Sequence, residues 1–257
     1  MVTTSLNKNG RSTAIILNKL LLQFSRHWLL VVTIILLIYN GLPWLAPIFM
    51  DQGWERAGNA IYLIYSLLCH QMPQRSFFLF GSSPMISLET VQAIWQDTTN
   101  PLLLRQFIGN ADIGWKVAWS DRMVYMYTSP LLFGLAYWPL RRRVKPLSIW
   151  VFLLFLLPMA IDGTTHIVSD FIGGIGGGFR YTNAWLESLT NHTFPATFYM
   201  GDAFGSFNSW MRLVTGILFG LGVVWFAYPH LLLTFSTTAN QIALKFQNAE
   251  TISKLID

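Results

Sequence analysis

The chain predicts an all-α integral membrane fold: four transmembrane helices, a short outer-face re-entrant or interfacial helix, and an amphipathic N-terminal helix. Three observations carry that expectation. Hydrophobic residues make up 53% of the 257 residues and charged ones only 11%, a balance far more apolar than that of a water-soluble domain. Four stretches stay apolar over about 20 residues, the length needed to cross about 30 Å of hydrocarbon. Aromatic residues reach 15%, with 11 Trp, as belts of amphipathic rings at two membrane interfaces require.

In chain order, residues 1–27 form a basic lead-in in which Ile15, Ile16, Leu20, Leu21 and Phe24 share a helical face, as a surface anchor would arrange them. It lacks the small-residue cleavage site of a signal peptide and is expected to stay attached. The spans follow at about Trp28–Met50, Val117–Leu140, Leu147–Val168 and Trp210–Leu233. A further apolar run, Ala57–Cys69, reaches only about 20 Å as a helix before His70, Gln71 and Pro73 interrupt it. Charge decides its status. Lys8, Arg11, Lys19 and Arg26 precede the first span, and Arg141, Arg142, Arg143 and Lys145 fill the short loop after the second. Basic loops face the cytoplasm, so both groups belong on one side. Four spans achieve this with both termini inside; a fifth crossing at Ala57–Cys69 would put the arginines outside. Ala57–Phe80 is therefore expected as the re-entrant or interfacial helix. The whole chain forms one membrane domain, with residues 51–116 and 169–209 as outer segments.

This orientation brings the ionisable groups of the spans to one level. Asp121 and Arg122 open the second span, Asp162 and His166 close the third, and Arg212 opens the fourth, all at the outer face. Cys69, His70 and Arg75 follow the short helix on that side. An intramembrane carboxylate is a functional-site hypothesis by default, since burying it in hydrocarbon is costly. Asp162 and His166 lie one helical turn apart, so a helix that continues through Gly163 puts them on one face. Structural pairing of Asp162 with Arg122 or Arg212 is the leading expectation, with an anion-binding cluster as the alternative. The vicinal Cys69-His70 and the Asp162/His166 pair do not form an established metal spacing, and no metal is expected. Asp202 and Glu187 read as solvated or capping residues of the outer loop. The glycine run Gly173–Gly178 lacks the Lys-Ser/Thr of a phosphate loop and reads as a flexible connection. Gly216-x-x-x-Gly220 offers a close helix-packing face, within the chain or against another subunit.

Three segments, Cys69-His70-Gln71-Met72-Pro73-Gln74-Arg75, Pro158-Met159-Ala160-Ile161-Asp162-Gly163 and Asn208-Ser209-Trp210-Met211-Arg212-Leu213-Val214-Thr215-Gly216, together resemble the domain-of-unknown-function 2085 family of prokaryotic predicted membrane proteins. The resemblance implies a cytoplasmic (inner) membrane location and carries no settled activity. Ser120 stands where relatives often have a cysteine, and His166 where they often have glutamine. Both departures argue against thiol, metal or proton chemistry at this site.

The basic residues show no interleaved aromatic pattern, so nucleic acid is not an expected partner; the lipid bilayer is. The leading functional expectation is a non-catalytic accessory subunit of a larger membrane assembly, such as an electron-transfer or photosynthetic complex, in contact with other membrane subunits. The alternative is an enzyme or carrier acting on a lipid headgroup or another anion at the outer leaflet, with Arg75, Arg122 and Arg212 as the cation set. A third reading makes His70 or His166 an axial ligand to a macrocycle. The residues name no cofactor.

Overall fold

The computed structural model of the protein describes residues 8–256. Residues 1–7 of the basic lead-in lie outside the described residues. Four long helices form the frame: α1 (Lys8–Asp51), α5 (Asp121–Leu140), α6 (Ile149–Gly173) and α10 (Phe207–Ile256). Between α1 and α5 the chain builds α2 (Glu55–Ser66), a 3-10 turn at Pro73–Arg75, β1 (Ser76–Leu79), α3 (Leu88–Ile94), α4 (Pro101–Leu104), β2 (Gly109–Asn110) and β3 (Gly114–Ser120). Between α6 and α10 it makes three short helices, α7 (Phe179–Thr182), α8 (Ala184–Leu189) and α9 (Ala196–Tyr199).

The long helices run up and down, with α10 packed against α5, α6 and α1. Trp28 of α1 meets Tyr228 and Phe235 of α10, and Tyr137 at the end of α5 meets Tyr228. The described starts and ends of the chain and the Arg141–Arg143 loop therefore sit at one end of the bundle; the first turns of α5 and α10 and the last turns of α6 sit at the other. Contact between α5 and α10 is close because Gly216 and Gly220 leave room for it: a Cβ on the first would collide with Tyr125, and on the second with Ser129 and Pro130. The Ser129 hydroxyl then donates to the Gly216 carbonyl at 2.8 Å. The small-residue face is thus filled within the chain.

Among the described residues, three helical segments, Ser12–Asp51, Ile149–Gly173 and Phe207–Ala249, are long and apolar enough to cross a membrane. The fourth helix of the expected set, α5, is more polar and is not among them. Pro130, Pro139, Tyr125, Tyr127 and Tyr137 lower its apolarity, tolerable in a helix held between α1 and α10.

The all-α expectation needs correcting. Val117–Ser120, read as the start of the second span, continues a strand; β3 is the middle of a three-stranded antiparallel sheet ordered β1-β3-β2. The apolar run from Val117 to Trp119 is fully buried among α1, α2 and β1, which gives it the same continuous hydrophobicity as a membrane helix. Gly114 takes a φ of +85° where β3 meets Leu79 and Gly81 at the end of β1, an approach no side chain allows. Ala57–Phe80 is likewise not one helix. It is α2 up to Ser66, a reversal through Gln71 in the left-handed region at φ 52°, the 3-10 turn, and then β1. α2 folds back on α1 through Gly58, which lies against Met50, and buries Ile61, Tyr62 and Tyr65. Its other face exposes Leu63, Ile64 and Leu67, the amphipathic profile of a helix at a lipid boundary. The segment around Glu89 contributes Leu88 and Val91 to a second small core with Phe78, Leu104 and Phe107.

Candidate functional site

Because β3 passes directly into α5, Asp121 starts that helix at the wall of the sheet. Its carboxylate accepts from the Arg122 backbone N–H at 2.7 Å and from Arg212 Nε, in the second turn of α10, at 2.7 Å. The same guanidinium donates through Nη1 to Asp202 Oδ1 at 2.8 Å and through Nη2 to the Asp202 carbonyl at 2.5 Å. Asp202 also accepts from Arg75 Nε at 2.7 Å, while Arg75 forks onto Asp170 with both Nη atoms, at 2.7 and 3.0 Å. A second branch joins Arg122 Nη1 to Asp162 Oδ2 at 2.7 Å and Asp162 Oδ1 to Arg180 Nη2 at 2.6 Å. Arg180 Nη2 lies 3.2 Å from His166 Nε2, so α6 does continue through Gly163 and Asp162 and His166 share a face toward Arg180.

These contacts bind four arginines to four aspartates, a balanced set at the end of the bundle away from the Arg141–Arg143 loop. In low dielectric, charge-assisted pairs of this geometry set the positions of the helices that carry them, and breaking one leaves a buried charge uncompensated. Outside the helical frame, burial alone would raise the Asp202 carboxyl, but Arg75 and Arg212 hold it well below the usual carboxylate range. Burial likewise works against the Arg75 charge, yet Asp202 and Asp170 hold its guanidinium above its ordinary value.

Beside the network opens a cavity of about 580 Å³. Cys69, His70 and Arg75 line it from the segment after α2, Asp121 and Arg122 from α5, His166 and Asp170 from α6, and Arg212 from α10. Cys69 Sγ lies 3.4 Å from Ser120 Oγ and accepts from the Gln71 N–H at 3.4 Å, so the thiol is held at the cavity wall. Among the described residues, Arg122 is the cavity guanidinium with donors to spare. Arg75 and Arg212 engage every guanidinium nitrogen, whereas Arg122 spends one Nη on Asp162 and is a fifth exposed. The described residues contain no group of three or more His, Cys, Asp or Glu arranged to hold a metal.

All eight residues singled out from the sequence therefore lie at one site: Asp162 sits directly behind the cavity wall and the other seven line it. The pairing differs in part. Asp162 takes Arg122, as expected, but its second partner is Arg180; Arg212 goes to Asp121 and Asp202. Asp202, expected as solvated, is buried at the centre of the network. Arg180 and Asp170 were not singled out at all. Arg180 arrives by way of the glycine run, which is a tight packing element: Gly178 lies against Ser169, whose hydroxyl accepts from the Arg180 N–H at 2.9 Å. Asn183 and Asn208 then clamp the Arg180 carbonyl at 2.7 and 2.6 Å. A signal existed in the sequence, since three arginines in a buried cluster need more carboxylate than Asp121 and Asp162 supply.

Lys116 of β3 is buried beneath this site. Its ammonium donates to the carbonyls of Gln71 and Arg105 at 2.8 and 2.9 Å, and Tyr62 donates to its own carbonyl. It thereby fixes the reversal that carries Cys69 and His70. Burial pushes the Lys116 amine from 10.5 down to about 7. The unfolded chain then holds the extra proton between those values, so stability rises with pH across that window. Lys116→Met is expected to flatten that rise by up to about 1.4 kcal/mol per pH unit, measured by denaturation of detergent-solubilised protein between pH 7 and 9. Equal slopes in the two proteins would show that Lys116 is not the titrating group.

An uncharacterised protein of Methanocaldococcus jannaschii, MJ1492, is 29% identical over 170 residues, covering 60% of this chain and 87% of the relative. No solved structure matches the chain. The Cys69–Arg75 segment falls outside the family match, which begins in the turn before β3. Residues 113–226, with Asp121, Arg122, Asp162, His166, Arg180, Asp202 and Arg212 among them, match the family described as predicted membrane protein (DUF2085).

Proposed function

We propose that this is a four-span protein of the prokaryotic cytoplasmic membrane, both termini inside, whose outer-leaflet cavity binds an anionic group as a carrier or enzyme. Supporting the topology, Lys19, Arg26, Arg141, Arg142, Arg143 and Lys145 gather at one end of the bundle, as cytoplasmic flanks do. At about 1.5 Å per residue, α5 also has the length of the hydrocarbon core.

The observation that carries the function is the free edge of Arg122. A guanidinium with two unengaged nitrogens on the wall of a half-enclosed cavity matches the planar fork geometry of a phosphate or carboxylate. The other two cavity arginines, Arg75 and Arg212, serve as scaffold, every guanidinium nitrogen of each already engaged by Asp121, Asp170 or Asp202.

Arg122→Gln tests this. Wild-type protein should melt at a higher temperature when phosphate or a phosphate-bearing lipid is added, and the variant should show no such rise. Its basal melting temperature should fall only modestly, because Asp162 keeps Arg180. A variant that retains the full anion-dependent shift would refute the role of Arg122.

The accessory-subunit reading loses one of its supports, since the Gly216 and Gly220 face is occupied by α5. Copurification of fixed-ratio partners from native membranes, with no anion effect on the isolated chain, would restore it.

A further inference from the structure

We infer that the ligand of this cavity is an amphiphile: a singly charged phosphodiester or carboxylate headgroup that enters sideways from the outer leaflet with its hydrocarbon chain trailing along α6. The inference rests on the reading of the cavity as an anion site and adds where the anion comes from and what charge it carries.

The direction of entry follows from the rim. Ile167 and Phe171, one turn apart on α6, both line the cavity, and yet they are 71% and 90% exposed. A residue can be both only where the cavity opens, so the mouth lies on that face of α6. The face is continuous with Val168 and Ile172, also exposed, and α6 as a whole is the least covered of the membrane-length helices, with 11% of its apolar window buried. In a bilayer the surroundings of that mouth are acyl chains. A water-soluble anion would have to cross an apolar threshold to reach Arg122, whereas a lipid already has its chains there and need only tilt its headgroup inward.

The charge follows from the balance of the network. Four arginines are already matched by four aspartates, so the cavity offers no surplus cation beyond the hydrogen-bonding capacity of Arg122. In a network with no net charge to spare, the anion is held by the hydrogen bonds of one free guanidinium edge, and a monoanion costs far less to desolvate there than a dianion. The cavity, about 580 Å³, is of ordinary ligand size and takes a headgroup with the first carbons of its chains.

The test compares ligands on the purified full-length chain in detergent, reading thermal shift and native mass spectra with short-chain phosphatidylglycerol, short-chain phosphatidylcholine, glycerol 3-phosphate and inorganic phosphate. Phosphatidylglycerol should bind at least about tenfold more tightly than the others. Arg122→Gln should abolish that preference. Ile167→Ala with Phe171→Ala, which changes only exposed side chains, should weaken phosphatidylglycerol severalfold and leave basal stability unchanged. If glycerol 3-phosphate or inorganic phosphate binds as tightly as phosphatidylglycerol through Arg122, entry from the membrane is wrong while the anion site stands. If phosphatidylcholine binds equally well and Arg122→Gln changes neither lipid, or if nothing binds, both readings fall.

Discussion

Arg212→Met is expected to cost about 3–5 kcal/mol of stability, read as a large drop in melting temperature of the detergent-solubilised protein. Arg212 is 1% exposed and holds Asp121, at 0%, through Nε and Asp202 through Nη1. Methionine fills comparable volume, so the loss isolates charge from packing. Asp202 keeps Arg75, whereas Asp121 keeps only the backbone N–H of Arg122 and becomes a buried, uncompensated carboxylate. The same reasoning predicts rescue: adding Asp121→Asn to Arg212→Met removes the orphaned charge and should recover part of the loss, giving a coupling of about 1–3 kcal/mol in the double-mutant cycle. Additive effects of the two substitutions would mean that the pair does not interact across α5 and α10. A cost below about 1 kcal/mol for Arg212→Met alone would place the network in contact with water, where ion pairs of this kind contribute little.

Why some of this architecture could be read from the sequence and some could not has a physical origin. Membrane-length helices announce themselves because every residue of a long run must be apolar in lipid, and α1, α6 and α10 satisfy that by composition alone. Asp162, Arg122 and Arg212 stand out for the complementary reason, as ionisable groups where they are expensive. The level at which they meet followed from the positions of Arg141, Arg142 and Arg143. Strand β3 escaped because a strand buried on both faces and the start of a membrane helix show the same unbroken apolar sequence, and Val117-Ala118-Trp119 fits either. Arg180 and Asp202 escaped because their partners lie across loops. Asp162 and Arg180 meet only because Gly178 lets the chain reverse against Ser169, and Asp202 meets Arg75 over 127 positions. No periodicity encodes such contacts. Charge balance was the one trace they left, since isolated cations in a buried cluster imply unseen anions.

Asp162→Asn is expected to move stability and ligand binding in opposite directions. Asp162 is the counterion of two guanidiniums, Arg122 at 2.7 Å and Arg180 at 2.6 Å. The isosteric amide keeps the shape and loses the charge, so Arg180, which has no other carboxylate, becomes a buried cation without a counterion at a cost of about 3 kcal/mol. At the cavity the same change removes a fixed anion from beside Arg122 and frees its remaining Nη. A negatively charged ligand then no longer competes with Asp162 for that guanidinium, and its affinity should rise about tenfold, or about 1.4 kcal/mol. A lower melting temperature without ligand, together with a larger ligand-induced shift, is the signature of a carboxylate that trades binding strength for a stable helix arrangement. If both stability and binding fall, Asp162 instead holds Arg122 in the orientation the ligand needs, and the cavity works through a preorganised pair rather than through a free edge.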